Sequence, residues 1–157
     1  MKWEKWLENW DMRGLKIKTP FLEMEWNPQT ADKNAAWDLY IELLTRITTR
    51  SLPNDVGDEK TALDSVYSLF PATRSIIRQY GRDCIEFTKV AIVVLNQVVR
   101  PFTAKWHPFS LAGTLSADPQ RTQFRTELSA LQSKLITYAR MLADMAGVED
   151  LTTLEDA

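Results

Sequence analysis

DPQRTQFRTELSALQSKLITYARMLADMAG, residues 118–147, carries the clearest periodicity in the chain. Phe124, Leu128, Leu131, Leu135, Tyr138, Leu142 and Met145 follow one another in steps of 4, 3, 4, 3, 4 and 3. That spacing keeps seven apolar side chains on one stripe of a helix. Asp118-Pro119 reads as a cap followed by a first-position proline, and Gly147 as the stop. A seam of this kind either faces the core of a helical bundle or zips two copies of the chain into a coiled coil. Phe124, Leu128, Leu131, Leu135 and Tyr138 are therefore candidate interface residues as well as candidate core.

Upstream, three more helices match this one in length. The first runs from about Thr30 to Leu52 with Ala36, Leu39, Tyr40, Leu43, Leu44 and Ile47 on its apolar stripe. Pro53 and Asn54 to Gly57 make a turn. The second starts at Asp58, a plausible cap, carries Leu63, Val66, Tyr67, Phe70, Ile77 and Tyr80, and ends at Gly81. Pro71 should kink it or split it. The third opens with Asp83 and Glu86 at capping-box spacing and continues to Val99 or Arg100. It is apolar on more than one face (Val90 to Leu95, Val98), so it should be the most buried. Pro101 interrupts it; residues 102–107 add one or two turns, and Pro108 to Ala117 reads as loop. Four long helices with short connections predict an all-α fold, a four-helix bundle with a kinked second helix.

Residues 1–29 form a Trp-rich N-terminal segment in front of the bundle at 30–147, and residues 148–157 form an acidic tail. Trp3, Trp6 and Trp10 share one face of a short helix. Leu15 to Lys18 and Phe21 to Trp26 alternate in a way that suggests a small β-hairpin.

Composition narrows the chemistry. With one histidine, His107, and one cysteine, Cys84, in 157 residues, a Cys/His zinc site and an internal disulfide are both excluded. Five glycines with no G-x-G pair exclude dinucleotide and Walker-type phosphate loops. No cofactor and no metal are implied. The net charge is −2, unevenly spread: residues 148–157 hold Glu149, Asp150, Glu155 and Asp156 and no base, whereas residues 44–147 hold 13 bases against 9 acids. The N-terminus lacks the apolar stretch of a signal peptide, and the longest apolar run, Val90 to Leu95, is too short to span a bilayer. A soluble cytoplasmic protein is the expectation, and a lone cysteine fits it.

Arg100-Pro101-Phe102-Thr103-Ala104-Lys105-Trp106-His107 contains the sole histidine seven residues after an arginine. This stretch resembles the R-x4–6-H motif of the HEPN ribonuclease superfamily, whose domains are helical bundles. The resemblance implies RNA cleavage without metal, with two motifs meeting across a dimer. It would assign proton transfer at the 2′-hydroxyl to His107 and stabilisation of phosphate charge to Arg100, roles that suit a group titrating near neutrality and a forked cation. The alternative is structural: Arg100 ends a helix, Phe102 and Trp106 anchor the next turn, and His107 is a surface or cap residue. The stretches Ala35 to Tyr40 and Arg100 to His107 also resemble, in texture, small helical bacterial proteins encoded beside nucleases in phage-defence and toxin–antitoxin-type loci.

Two further groups bear on partners. Arg74, Arg78 and Arg82 step by four along the second helix and, with Lys105, are candidate phosphate-binding residues. Arg46 and Arg50 do the same on the first helix, where Glu42–Arg46 is a possible intrahelical pair. Trp3, Trp6, Trp10 and Trp26 are either a hot-spot surface for another protein or the cover over the open end of the bundle. The acids Glu4, Glu8 and Asp11 between them argue against a membrane. The leading expectation is a helical interaction or regulatory module working with a partner protein or with itself as a homo-oligomer. A HEPN-like ribonuclease and a sensor of a phosphate ligand such as RNA or a nucleotide are the alternatives.

Overall fold

The computed structural model describes residues 1–12, 14–46, 48–49, 52 and 58–154. Ile47, Arg50, the turn from Pro53 to Gly57, and Glu155 and Asp156 of the tail lie outside them. The described residues are all-α, with no strand. The helices are α1 (Trp3–Asn9), α2 (Thr19–Leu22), α3 (Thr30–Leu44), α4 (Glu59–Tyr67), α5 (Leu69–Tyr80), α6 (Ile85–Val94), α7 (Arg100–Leu111) and α8 (Gln120–Ala146). None among them is long and apolar enough to cross a membrane.

The long helical segments run up and down in turn. Asp38 meets Tyr80 and Arg46 meets Ser68, so α3 and α5 are antiparallel. Tyr67 packs against His107, and Arg100 against Phe70, which sets α4–α5 antiparallel to α7. Lys105 pairs with Glu127 while Phe102 and Trp106 pack on Phe124, at the α7–α8 contact. The seam residues Phe124, Leu128, Leu131, Leu135, Tyr138, Leu142 and Met145 are all buried within this bundle. The coiled-coil reading of Phe124, Leu128, Leu131, Leu135 and Tyr138 is thereby corrected, because a single chain already covers them.

Boundaries depart from the sequence reading where local hydrogen bonding competes with the helix. The first helix ends at Leu44, well before Leu52. Thr45 donates to the Ile41 carbonyl at 2.8 Å, and Thr48 and Thr49 both donate to that of Leu43, so threonine hydroxyls take over the last carbonyls. The second helix breaks at Ser68, three residues before Pro71, where the proline ring opposes the Tyr67 carbonyl. Gly81 ends α5 at φ 64°. The expected capping box at Asp83 and Glu86 does not form: Gly81–Cys84 is a tighter helical turn and Cys84 caps α6. Cys84 is fully buried, with Sγ 3.2 Å from the Gly81 carbonyl, which leaves it inert.

The third helix does not stop at Pro101. Leu95–Val99 is a wide (π) turn, after which α7 continues through Pro108 to Leu111, so the loop expected from Pro108 begins later. Pro108 is exposed, where water can serve the carbonyl it leaves unpaired, and Phe109 stays anchored on Trp106 with ring centroids 5.3 Å apart. At α8, Pro119 takes the cap position and the helix starts at Gln120, one residue later than read.

The N-terminal hairpin is also corrected. Thr19 and Pro20 begin the short helix α2, and the Lys16 backbone bonds to the Gln97 side chain instead of to a strand. What remains is a single antiparallel bridge between Lys2 and Glu25. It lets Trp3 and Trp6 enter the core, where they are buried against Phe21 and Trp26.

Two buried carboxylates pin the bundle. Asp32 is fully buried and accepts from the backbone N–H of Gln29 at 2.8 Å and of Phe87 at 3.0 Å, joining the start of α3 to α6. Glu59, at the start of α4, takes Ser116, Arg121 and Arg125 at 2.9, 2.7 and 2.9 Å, joining α4 to α8. Burial alone would raise the Glu59 pKa; its own backbone N–H, Arg125 and Ser116 outweigh that and hold it below the usual value. Glu86 behaves in the opposite way: burial, then the charge of Asp32, raises its pKa, and among the described residues its buried Oε2 has no hydrogen-bond partner.

These signs make the two glutamates distinguishable. Glu59→Gln should cost about 2 kcal/mol at pH 7, because Arg125 loses a buried acceptor charge. Its deficit should shrink as pH falls below the unfolded-state value of about 4.5, where the wild-type carboxylate protonates too. Glu86→Gln should be at least as stable as wild type at pH 7 and lose that advantage in acid, as urea melts at pH 7 and pH 3.5 would register. The Tyr138 hydroxyl is buried with no partner, so Tyr138→Phe should stabilise by about 1 kcal/mol in the same assay.

Candidate functional site: a basic face between α5 and α7

The start of α7 meets the junction of α4 and α5, close to cationic residues singled out by sequence. On α5, Phe70, Arg74 and Arg78 are successive turns of one stripe, and Phe70 is the one that meets α7. On α7, Arg100 and His107 share one side. The Arg100 guanidinium lies over the Phe70 ring, 4.8 Å from its centroid, and its Nε donates to Asn96 Oδ1 at 3.1 Å. His107 meets the Tyr67 ring edge-on, with centroids 5.8 Å apart, and the Tyr67 hydroxyl donates to the Thr103 carbonyl at 3.4 Å. Arg74 lies one turn beyond Phe70 on that stripe and Arg78 two, running away from α7 in the antiparallel register.

Arg74, Arg78, Arg100 and His107 are all exposed. Among the described residues no acid lies within ion-pair distance of Arg74, Arg78 or Arg100. On α4, Lys60 pairs with Asp64 at 2.9 Å. Arg100 is held by a ring and an amide and not by a carboxylate, leaving its outer N–H groups to an anion. Arg100 and His107 stand two turns apart on one side of α7, about 10 Å along the axis.

Other sequence candidates go elsewhere. Arg82 sits in the Gly81–Cys84 turn, off the helix that carries Arg74 and Arg78, so the row of three is a row of two. Lys105 is on the opposite side of α7, paired with Glu127 at 2.6 Å and lying over the Trp106 ring, and does not join the phosphate-binding group. Arg46 pairs with Glu42 and donates to Ser68 Oγ, as the intrahelical reading expects. The tryptophan surface is corrected: Trp3 and Trp6 are buried, Trp10 and Trp26 half-buried, and the Trp6 indole donates to Asp144 at 2.7 Å. These rings close the end of the bundle and do not present a free face. Trp37, outside that group, is 39% exposed and borders a groove between α3 and α5 with Ile41.

Among the described residues no cluster of histidine, cysteine, aspartate or glutamate is arranged to hold a metal. Sequence reasoning missed Asn96 and Gln97, whose signal was a polar pair inside the most apolar helix. It also missed Asp32, Glu59 and Glu86, acids next to apolar positions at helix starts. The sequence matches no family model, no curated protein and no solved structure.

The Arg100–Phe70 contact should contribute modestly to the fold. Arg100→Ala should lower stability by about 0.5–1 kcal/mol in chemical denaturation and leave the helical circular dichroism unchanged.

Proposed function

We propose that this protein is a helical binding module that takes a phosphate-bearing polyanion, RNA in the first instance, on the α5–α7 face. The observation that carries this reading is the exposed stripe of Arg74 and Arg78 on α5, continuing from the Phe70 ring that holds Arg100, with no acid in ion-pair distance of the three among the described residues. Three such arginines engage phosphates sequence-independently, with strong dependence on salt. The test is fluorescence anisotropy with a labelled 20-nucleotide single-stranded RNA. Binding should weaken between 50 and 200 mM salt with a log–log slope of about −2, from three phosphate contacts. It should fall at least about tenfold in Arg74→Glu/Arg100→Glu and stay unchanged in Lys105→Gln. No binding at 50 mM salt, or equal binding by the double variant, would overturn the reading.

A second reading is supported by one specific observation: Arg100 and His107, spaced as in the HEPN motif, are exposed on the same side of α7. It calls for metal-independent cleavage of RNA by a dimer. Cleavage in EDTA that is lost in both Arg100→Ala and His107→Ala would support it. RNA bound but left intact would leave the binding module alone.

A further inference from the structure

A separate pocket lies beside the wide turn of Leu95–Val99 and is lined by none of Arg74, Arg78 and Arg100. The chain leaves α1 through a left-handed residue, Asp11, at φ 57°, and crosses to the wide turn of Leu95–Val99. There Gln97 clamps it with both halves of its amide: Oε1 accepts from the Lys16 backbone N–H at 2.7 Å, and Nε2 donates to the Lys16 carbonyl at 2.8 Å. The clamped loop, the turn and α8 line an open pocket of about 560 Å³, within the range of preformed small-molecule sites. Met12, Leu15 and Val98 supply apolar wall, and Lys16 from the loop and Lys134 from α8 line it as well. Among the described residues neither lysine has a carboxylate within ion-pair distance, although Asp11 also lines the pocket. A smaller cavity of about 170 Å³ shares Met12 and Leu15; Leu7 and Leu22 line it together with Glu4 and Glu8.

Each part of this arrangement selects for something. Gln97 commits one bond from each half of its amide to the backbone it holds, and the rest of the lining offers a ligand two cations and aliphatic side chains. Two lysines call for an anion, and because they are flexible point charges and not a planar fork, a single carboxylate suffices. The wall without donors calls for a hydrocarbon body. Wide turns inside helices recur at functional sites because they redirect side chains, and here the turn aims Gln97 at the loop and Val98 into the cavity. We propose that this cavity binds a small organic monoanion with an aliphatic body, a medium-chain carboxylate, with its head between Lys16 and Lys134 and its chain along Met12, Leu15 and Val98.

The test is a titration of the full chain, carbon-13-labelled at methionine methyls, with sodium octanoate below its micellar range, read by methyl NMR and calorimetry. The Met12 methyl should shift saturably. Lys16→Gln/Lys134→Gln should weaken binding about tenfold, and neutral octanamide should bind about as weakly to wild type. Both substituted side chains are exposed, and a circular dichroism melt coinciding with wild type shows that the variant folds. Arg74→Glu/Arg100→Glu, which tests the basic face, should bind octanoate normally, so the two sites succeed or fail separately. No saturable shift at millimolar octanoate, equal affinity in the lysine variant, or equal binding of octanamide would overturn the proposal.

Discussion

Pro101 has no N–H to give, and its ring opposes the carbonyl four residues back, at Gln97. The segment from Ile85 to Leu111 stays helical through this point only because the turn before it widens: the Arg100 N–H reaches back five residues, to Leu95. That one residue of slack resets which side chains face which neighbours. Downstream, Arg100 lands on the Phe70 ring and His107 on Tyr67. Within the turn, Gln97 projects to the N-terminal loop and Val98 into the cavity beside it. The seat of Arg100 on the Phe70 ring and the placing of Gln97 and Val98 in the pocket lining thus share one backbone defect.

Around that defect the bundle is held by a few buried polar groups more than by any single hydrophobic pair. Asp32 and Glu59 are satisfied carboxylates that fix helix starts against distant helices. Glu86 and the Tyr138 hydroxyl are buried groups left short of partners. The first pair specifies register, since a slipped packing would strand a buried charge; the second works against stability. The tryptophans perform a third structural task, closing the end of the bundle where the last turn of α8 carries Asp144.

Much of the fold was legible because periodicity survives in a single sequence. The 4–3 seam of α8, the Asp58 cap and the Gly81 and Gly147 stops all stand where pattern and backbone chemistry put them. The errors have a common origin: a local signal outweighed by a partner far along the chain. Alternation in residues 15–26 looked like a hairpin, yet the backbone partner of Lys16 is a glutamine 81 positions away. Pro108 looked like a helix end, yet Trp106 and Phe109 hold the turn by packing. The tryptophans looked like a surface because aromatic spacing cannot say which side of a helix is covered. Of the candidate site, Arg74, Arg78, Arg100 and His107 are each legible in the sequence; that Arg100 meets Phe70 and His107 meets Tyr67 needs the antiparallel register, which no local pattern contains.

The central claim is that the turn before Pro101 is widened by one residue and so orients both Arg100 and Gln97. Scalar couplings transmitted across hydrogen bonds, measured in carbon-13- and nitrogen-15-labelled protein, test it directly. The expected result is a coupling from the Arg100 amide nitrogen to the Leu95 carbonyl carbon, with none to that of Asn96. A coupling from Arg100 to Asn96, the mark of an ordinary α-helix, would contradict the account at its base.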